Sequence, residues 1–152
     1  MVIPSWLGRF ETQPEKVDAL GKVGQRRDAP ARIAQELSPG VKSLVGRLDL
    51  TRVLPSELIQ VAQGLCKEGV LSLDNYYQFR DATRDVDGKP RPEVPIDLLA
   101  EVREGTRQVK AISRQSGDFR AEKYHAEFSM SARGLAYLAA SIKGLKLVDV
   151  RV

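Results

Sequence analysis

Apolar positions recur at helical spacing most clearly between residues 55 and 83. Leu58, Val61, Ala62 and Leu65 fall on one face of a segment opened by Pro55 and closed by Gly69. Ser72 then offers a new N-cap, and Leu73, Tyr76, Tyr77 and Phe79 provide the packing groups of a second helix. The spacing predicts a helical hairpin over 55–83. Upstream, Asp28 and Pro30 predict the start of a helix that carries Ile33 and Leu37 and stops at Pro39-Gly40. Residues 41–53 fit either a helix or extended chain. Residues 1–27 scatter Pro4, Gly8, Pro14, Gly21 and Gly24 among charges, which predicts a mobile N-terminal arm ahead of a single globular domain over 28–152. Trp6, Leu7 and Phe10 interrupt that polarity; one turn of helix would carry them either back onto the core or onto a partner.

Residues 84–95, with Gly88, Pro90, Pro92 and Pro95, predict a loop. A long helix follows over 95–113, with Asp97, Glu101 and Glu104 early and Arg107, Lys110 and Arg114 late, the order the helix dipole favours. Its apolar line is Leu98, Val102, Gly105, Val109 and Ile112, a short heptad seam. Gly105 is the anomaly on that line. Mid-helix glycine costs roughly 0.5–1 kcal/mol relative to alanine, so close approach of another backbone, within the domain or from a partner chain, would explain it. Beyond Tyr124 the period changes to two: Tyr124, Ala126, Phe128 and Met130 alternate with His125, Glu127 and Ser129. This predicts a strand, then a helix over 131–143, then a second strand over 145–152, so that 122–152 closes the chain as strand–helix–strand. The expected fold is mainly α, four to six helices with that small C-terminal element, an α+β arrangement.

Composition narrows the classes. The chain has 152 residues, 42% hydrophobic and 29% charged, enough for one domain with its own core. The single cysteine, Cys66, rules out an intramolecular disulfide and suits a reducing cytoplasm. No apolar run approaches the ~20 residues of a membrane span, and the N-terminus lacks a basic leader followed by an apolar stretch, so neither a membrane partner nor secretion is expected. The net charge of +4 is unevenly spread. Residues 1–52 carry nine bases and six acids, residues 53–87 three and six, and residues 88–152 twelve and eight. Bases and acids alternate without a basic block, which reads as solvated surface with at most weak, non-specific nucleic-acid binding.

The candidate chemistry is thin. Asp85-Val86-Asp87-Gly88 has the look of a calcium loop, but aligning Gly88 with the glycine of an EF-hand puts Thr83 and Val94 at the ends, where acidic ligands are required. His125 is the only histidine and on the strand reading faces solvent beside Glu127. Cys66 sits beside an apolar helix face without a partner that would activate it. No nucleophile elbow or phosphate loop is present. Neither a metal site nor a cofactor site is expected, and no catalytic residue is assigned. The hairpin could be a DNA-reading helix-turn-helix, but Asp74 and Asn75 open its second helix within the acidic segment, the wrong sign for phosphate.

The run Pro55-Ser56-Glu57-Leu58-Ile59-Gln60, continued by Glu68-Gly69-Val70-Leu71-Ser72 and Tyr77, resembles a pattern in small uncharacterised bacterial proteins, some associated with flagellar or motility loci. The resemblance covers about 54–81, with Leu54 where that pattern prefers a Ser or Thr cap. It implies an accessory protein and carries no catalytic residues. The sequence thus points to a non-catalytic, cytoplasmic protein-interaction or adaptor module. It would act through helix faces, on another protein or on a second copy of itself. Its candidate interaction residues are Leu98, Val102, Gly105, Val109, Ile112, Trp6 and Phe10. A nucleic-acid-associated regulator is the alternative, and a small enzyme comes third.

Overall fold

The computed structural model describes residues 19–26 and 30–144. Seven helices account for most of these: α1 (Ala19–Arg26), α2 (Pro30–Glu36), α3 (Pro39–Gly46), α4 (Pro55–Lys67), α5 (Leu73–Ala82), α6 (Leu98–Ser116) and α7 (Arg120–Lys143). Their ends follow local chemistry. The Ser38, Ser72 and Asp97 side chains accept the backbone N–H of Val41, Asn75 and Ala100, satisfying donors that a helix start leaves free. Glu57 accepts the amide of Leu54 at 3.0 Å, and Leu54 has no side-chain group to return the bond, so α4 has half a capping box. Gly69, Gly117 and Gly144 hold the left-handed conformation where α4, α6 and α7 stop.

The C-terminal strand–helix–strand expectation is corrected. Residues 120–143 are one continuous helix, and no strand occurs among the described residues, only isolated antiparallel bridges at Val53–Ile96 and Arg84–Pro90. The α+β assignment falls with it; the described fold is helical. Residues 145–152, expected as the second strand, lie outside the described residues. The physical reason lies in composition: within 120–143 only Ile142 is β-branched, and the segment is otherwise rich in Ala, Glu, Lys, Leu and Met. Tyr124 and Phe128 satisfy the alternation, and as an i, i+4 pair they satisfy a helix equally well.

α7 is the axis of the fold. α1, α2, α3, α5 and α6 pack on it, while α4 packs on α3 and α5. The predicted face of α4, Leu58, Val61, Ala62 and Leu65, is buried, as are Leu135 and Leu138 of α7. Phe79 of α5 is fully enclosed and meets Phe128 edge-on, with centroids 5.1 Å apart. The Val53–Ile96 bridge, reciprocal at 2.9 Å, and the Leu98 N–H on the Leu50 carbonyl at 2.8 Å anchor the root of α6.

The span expected as an arm, 1–27, takes in α1, whose Leu20 and Val23 are fully buried. α1 crosses α7 backbone against backbone: a Cβ on Gly24 would overlap the Met130 carbonyl, and one on Gly134 the Leu20 carbonyl. Residues 1–18, with Trp6 and Phe10, lie outside the described residues. α2 does stop ahead of Pro39-Gly40, as expected, and the same pair also opens α3 with Ser38 as cap. There Pro39 takes a first-turn position, where the missing N–H costs nothing.

Candidate interaction surface

The α6 seam divides. Leu98 and Val102 are buried at the root of the helix, Gly105 and Val109 are half-buried, and Ile112 is 54% exposed. A straight helix drifts about 20° per heptad from an ideal seven-residue repeat, so about 40° between Leu98 and Ile112. That drift carries Ile112 from the buried line to its rim. The lower half of the seam is core, and only the upper half reaches solvent.

Gly105 is explained within the domain. A Cβ there would stand 2.6 Å from His125 Cε1, so a side chain of α7, and no second backbone, occupies the space. His125 Nε2 lies 2.9 Å from the Val102 carbonyl and 3.1 Å from Thr106 Oγ1. Because Val102 O can only accept, Nε2 carries the proton of that bond. Thr106 Oγ1 donates to the same carbonyl at 3.0 Å. His125 is therefore half-buried and clamps α7 to α6; its expected place on a solvent-facing strand is corrected with the strand itself.

Beyond this clamp, α6 and α7 run on as an antiparallel hairpin away from the core. Between residues 103 and 130 only Ser113 is buried. The turn is tight: Gly117 is left-handed, and Asp118 accepts the Arg120 N–H at 3.0 Å while Arg120 returns a bidentate pair at 2.7 and 3.1 Å. That pair holds the exposed Asp118 carboxyl below the usual range, chiefly through the Arg120 side-chain hydrogen bond. Phe119, at the N-cap of α7, is 59% exposed and Tyr124 52%. Tyr124 is raised by burial of its flank, and next by the charge of Asp81.

The hairpin end is basic. Arg107, Lys110, Arg114, Arg120 and Lys123 stand against Asp118 and Glu122 over residues 107–123. Arg107 is shared with Glu104 at 3.7 Å and Arg120 with Asp118 at 2.7 Å. Lys110, Arg114 and Lys123 have no ion pair among the described residues. Large apolar side chains and uncommitted cations thus share the last turns of a two-helix projection. Sequence reasoning found Ile112 but missed Phe119; its signal was Gly117-Asp118, a helix stop followed by a capping residue, which locates a turn and so a tip.

The remaining candidates resolve simply. Asp85 Oδ1 accepts the N–H groups of Asp87 and Lys89, and Gly88 is left-handed, so the supposed calcium loop is a self-satisfied polar turn. Arg91 locks that loop to α6 through a bidentate pair with Glu101 at 2.6 and 3.2 Å. Cys66 is half-buried, and burial pushes its thiol up, away from reactivity. Among the described residues no His, Cys, Asp and Glu group of three or more could hold a metal ion, and no helix is long and apolar enough to cross a membrane. No family model, curated protein or solved structure matches the chain.

Proposed function

We propose that this chain is a non-catalytic protein-interaction module of the cytoplasm whose α6–α7 hairpin end docks an acidic, partly apolar segment of a partner protein. The observation that carries the reading is the coincidence of exposed Ile112 and Phe119 with Lys110, Arg114 and Lys123, which no acid of the described residues neutralises. Exposed large apolar groups set among charges with a basic excess suit a protein surface with a small apolar centre and an acidic rim. Arg114 and its basic neighbours suit phosphate as well as carboxylate, and it is the exposed Ile112 and Phe119 that favour a protein over a nucleic acid. Self-association through the same end is disfavoured by like charge. The single cysteine supports the cytoplasmic placement, and the resemblance over 54–81 supports an accessory role in a bacterial, motility-related setting.

Fluorescence anisotropy on the full chain tests the reading with three probes: an acidic amphipathic peptide bearing Leu and Phe, the same peptide with lysine in place of each acid, and a short DNA duplex. The acidic peptide should bind best, and Ile112→Ser with Phe119→Ser should weaken it at least tenfold without change in the far-ultraviolet spectrum. Tighter binding of the duplex would transfer the hairpin to the nucleic-acid reading.

A further inference from the structure

A second feature lies away from the hairpin end. Where α1, the start of α5 and the middle of α7 converge, a cleft of about 460 Å³ opens, within the range of small-molecule sites. Its walls present Lys22 and Gln25 from α1, Asp74 and Asn75 from α5, and Glu127 and Ser131 from α7. Asn75 is 8% exposed, yet its side-chain amide has no hydrogen-bond partner among the described residues; only its backbone N–H is used, by Ser72. Ser131 is completely buried on the same wall, and its hydroxyl is also unpartnered. Buried polar groups are nearly always paired, because an unpaired one costs about 1–3 kcal/mol. The Ser131 hydroxyl is sealed in the wall, whereas the Asn75 amide, on a residue nine-tenths buried, still opens to the cleft without a protein partner, and an outside molecule there would complete its bonding.

The charges decide the class of that molecule. A helix N-terminus ordinarily favours an anion, but here Ser72 caps α5 and Asp74 occupies its first turn. Among the described lining residues, Asp74 and Glu127 stand against Lys22, a net negative charge of one. An ammonium group suits the two carboxylates, and a hydroxyl or amide on the same molecule suits Asn75. We infer that the cleft between α1, α5 and α7 binds a small organic ammonium ion carrying a further hydrogen-bonding group. This inference does not rest on the hairpin reading, and its failure would leave that reading intact.

Nitrogen–proton correlation spectra of the full chain, titrated with ethanolamine hydrochloride and separately with sodium phosphate at matched ionic strength, test it. Asn75→Ala identifies the Asn75 side-chain pair. Ethanolamine should shift that pair, and the backbone signals of Lys22, Asp74 and Ser131, saturably. Asp74→Asn with Glu127→Gln, both exposed and nearly isosteric changes, should weaken the response at least tenfold while leaving the rest of the spectrum in place. Non-saturable or dispersed shifts would overturn the inference, as would a response unchanged in the double variant. Saturation by phosphate in place of ethanolamine would overturn the assigned charge.

Discussion

Gly105→Ala should be destabilising in the native chain and stabilising once His125 is removed. Alanine in the middle of a helix is favoured over glycine by about 1 kcal/mol. Against that, the new Cβ would lie 2.6 Å from His125 Cε1 and 3.1 Å from Nε2, inside contact distance. The ring is the end of a side chain, so it yields, and it then leaves the Val102 carbonyl and Thr106 hydroxyl that it holds at 2.9 and 3.1 Å. The single Nε2–H shared between those two oxygens contributes a net ~0.5–1.5 kcal/mol, and overpacking the ring costs typically ~1–3 kcal/mol; together they outweigh the propensity gain and leave the variant about 1 kcal/mol less stable. In a His125→Ala background there is no ring to displace, and Gly105→Ala should add about 1 kcal/mol. The coupling energy is then about 2 kcal/mol, as for residues in direct contact. Urea denaturation of the four proteins, followed by circular dichroism, measures it. An effect of the same sign and size in both backgrounds would refute the clamp and return Gly105 to solvent or to an interface with another chain.

Three further outcomes follow from packing and charge. Ser113→Ala removes a fully buried, unpartnered hydroxyl and improves helix propensity, so the midpoint of urea denaturation should rise, by about 1 kcal/mol in stability. Gly134→Ala drives a Cβ into the Leu20 carbonyl and should cost about 3 kcal/mol, with amide exchange accelerated first in α1. Asp49 is held below its ordinary value chiefly by the Thr51 hydroxyl, at 2.5 Å, and then by the Thr51 N–H. A depressed carboxylate contributes stability that is present above its unfolded-state value and is lost as pH falls through its folded-state value. Stability should therefore decline on the acid side below about pH 4, and Asp49→Asn should flatten that decline when denaturation midpoints are compared between neutral and acid pH.

The α4–α5 hairpin and the body of α6 were legible in the sequence because period and caps agree there: Leu58 to Leu65 on one face, Gly69 and Ser72 between, Asp97 ahead of Leu98. Elsewhere one local cue had two meanings. Pro39-Gly40 suits a stop and equally a first turn, and with Ser38 as cap it serves as both, following the end of α2 and opening α3. Gly21 and Gly24 read as breakers, yet Gly24 is where α1 meets the backbone of α7 at Gly134, a contact between residues far apart in sequence. The first third of α7 alternates well enough for a strand, and the near-absence of β-branched residues was the cue that outweighed it. The seam on α6 was real as a helix stripe, but its division into core and rim follows from the drift of the helix and from where the packed core beneath it ends. The basic hairpin end arises only when Lys110 and Arg114 of α6 are folded beside Lys123 of α7, which average charge along the chain conceals.

A protein partner at the α6–α7 end should be captured by site-specific photocrosslinking in the cells that make this chain. A photoreactive residue at Phe119 should give one discrete protein adduct whose crosslinked peptide is acidic. Added salt should reduce the yield, because contacts between exposed charges are screened. The same residue at Lys89, on the far loop, should give none. No adduct at Phe119, an adduct to nucleic acid, or equal labelling from Lys89 would rule out a protein-docking role for this end.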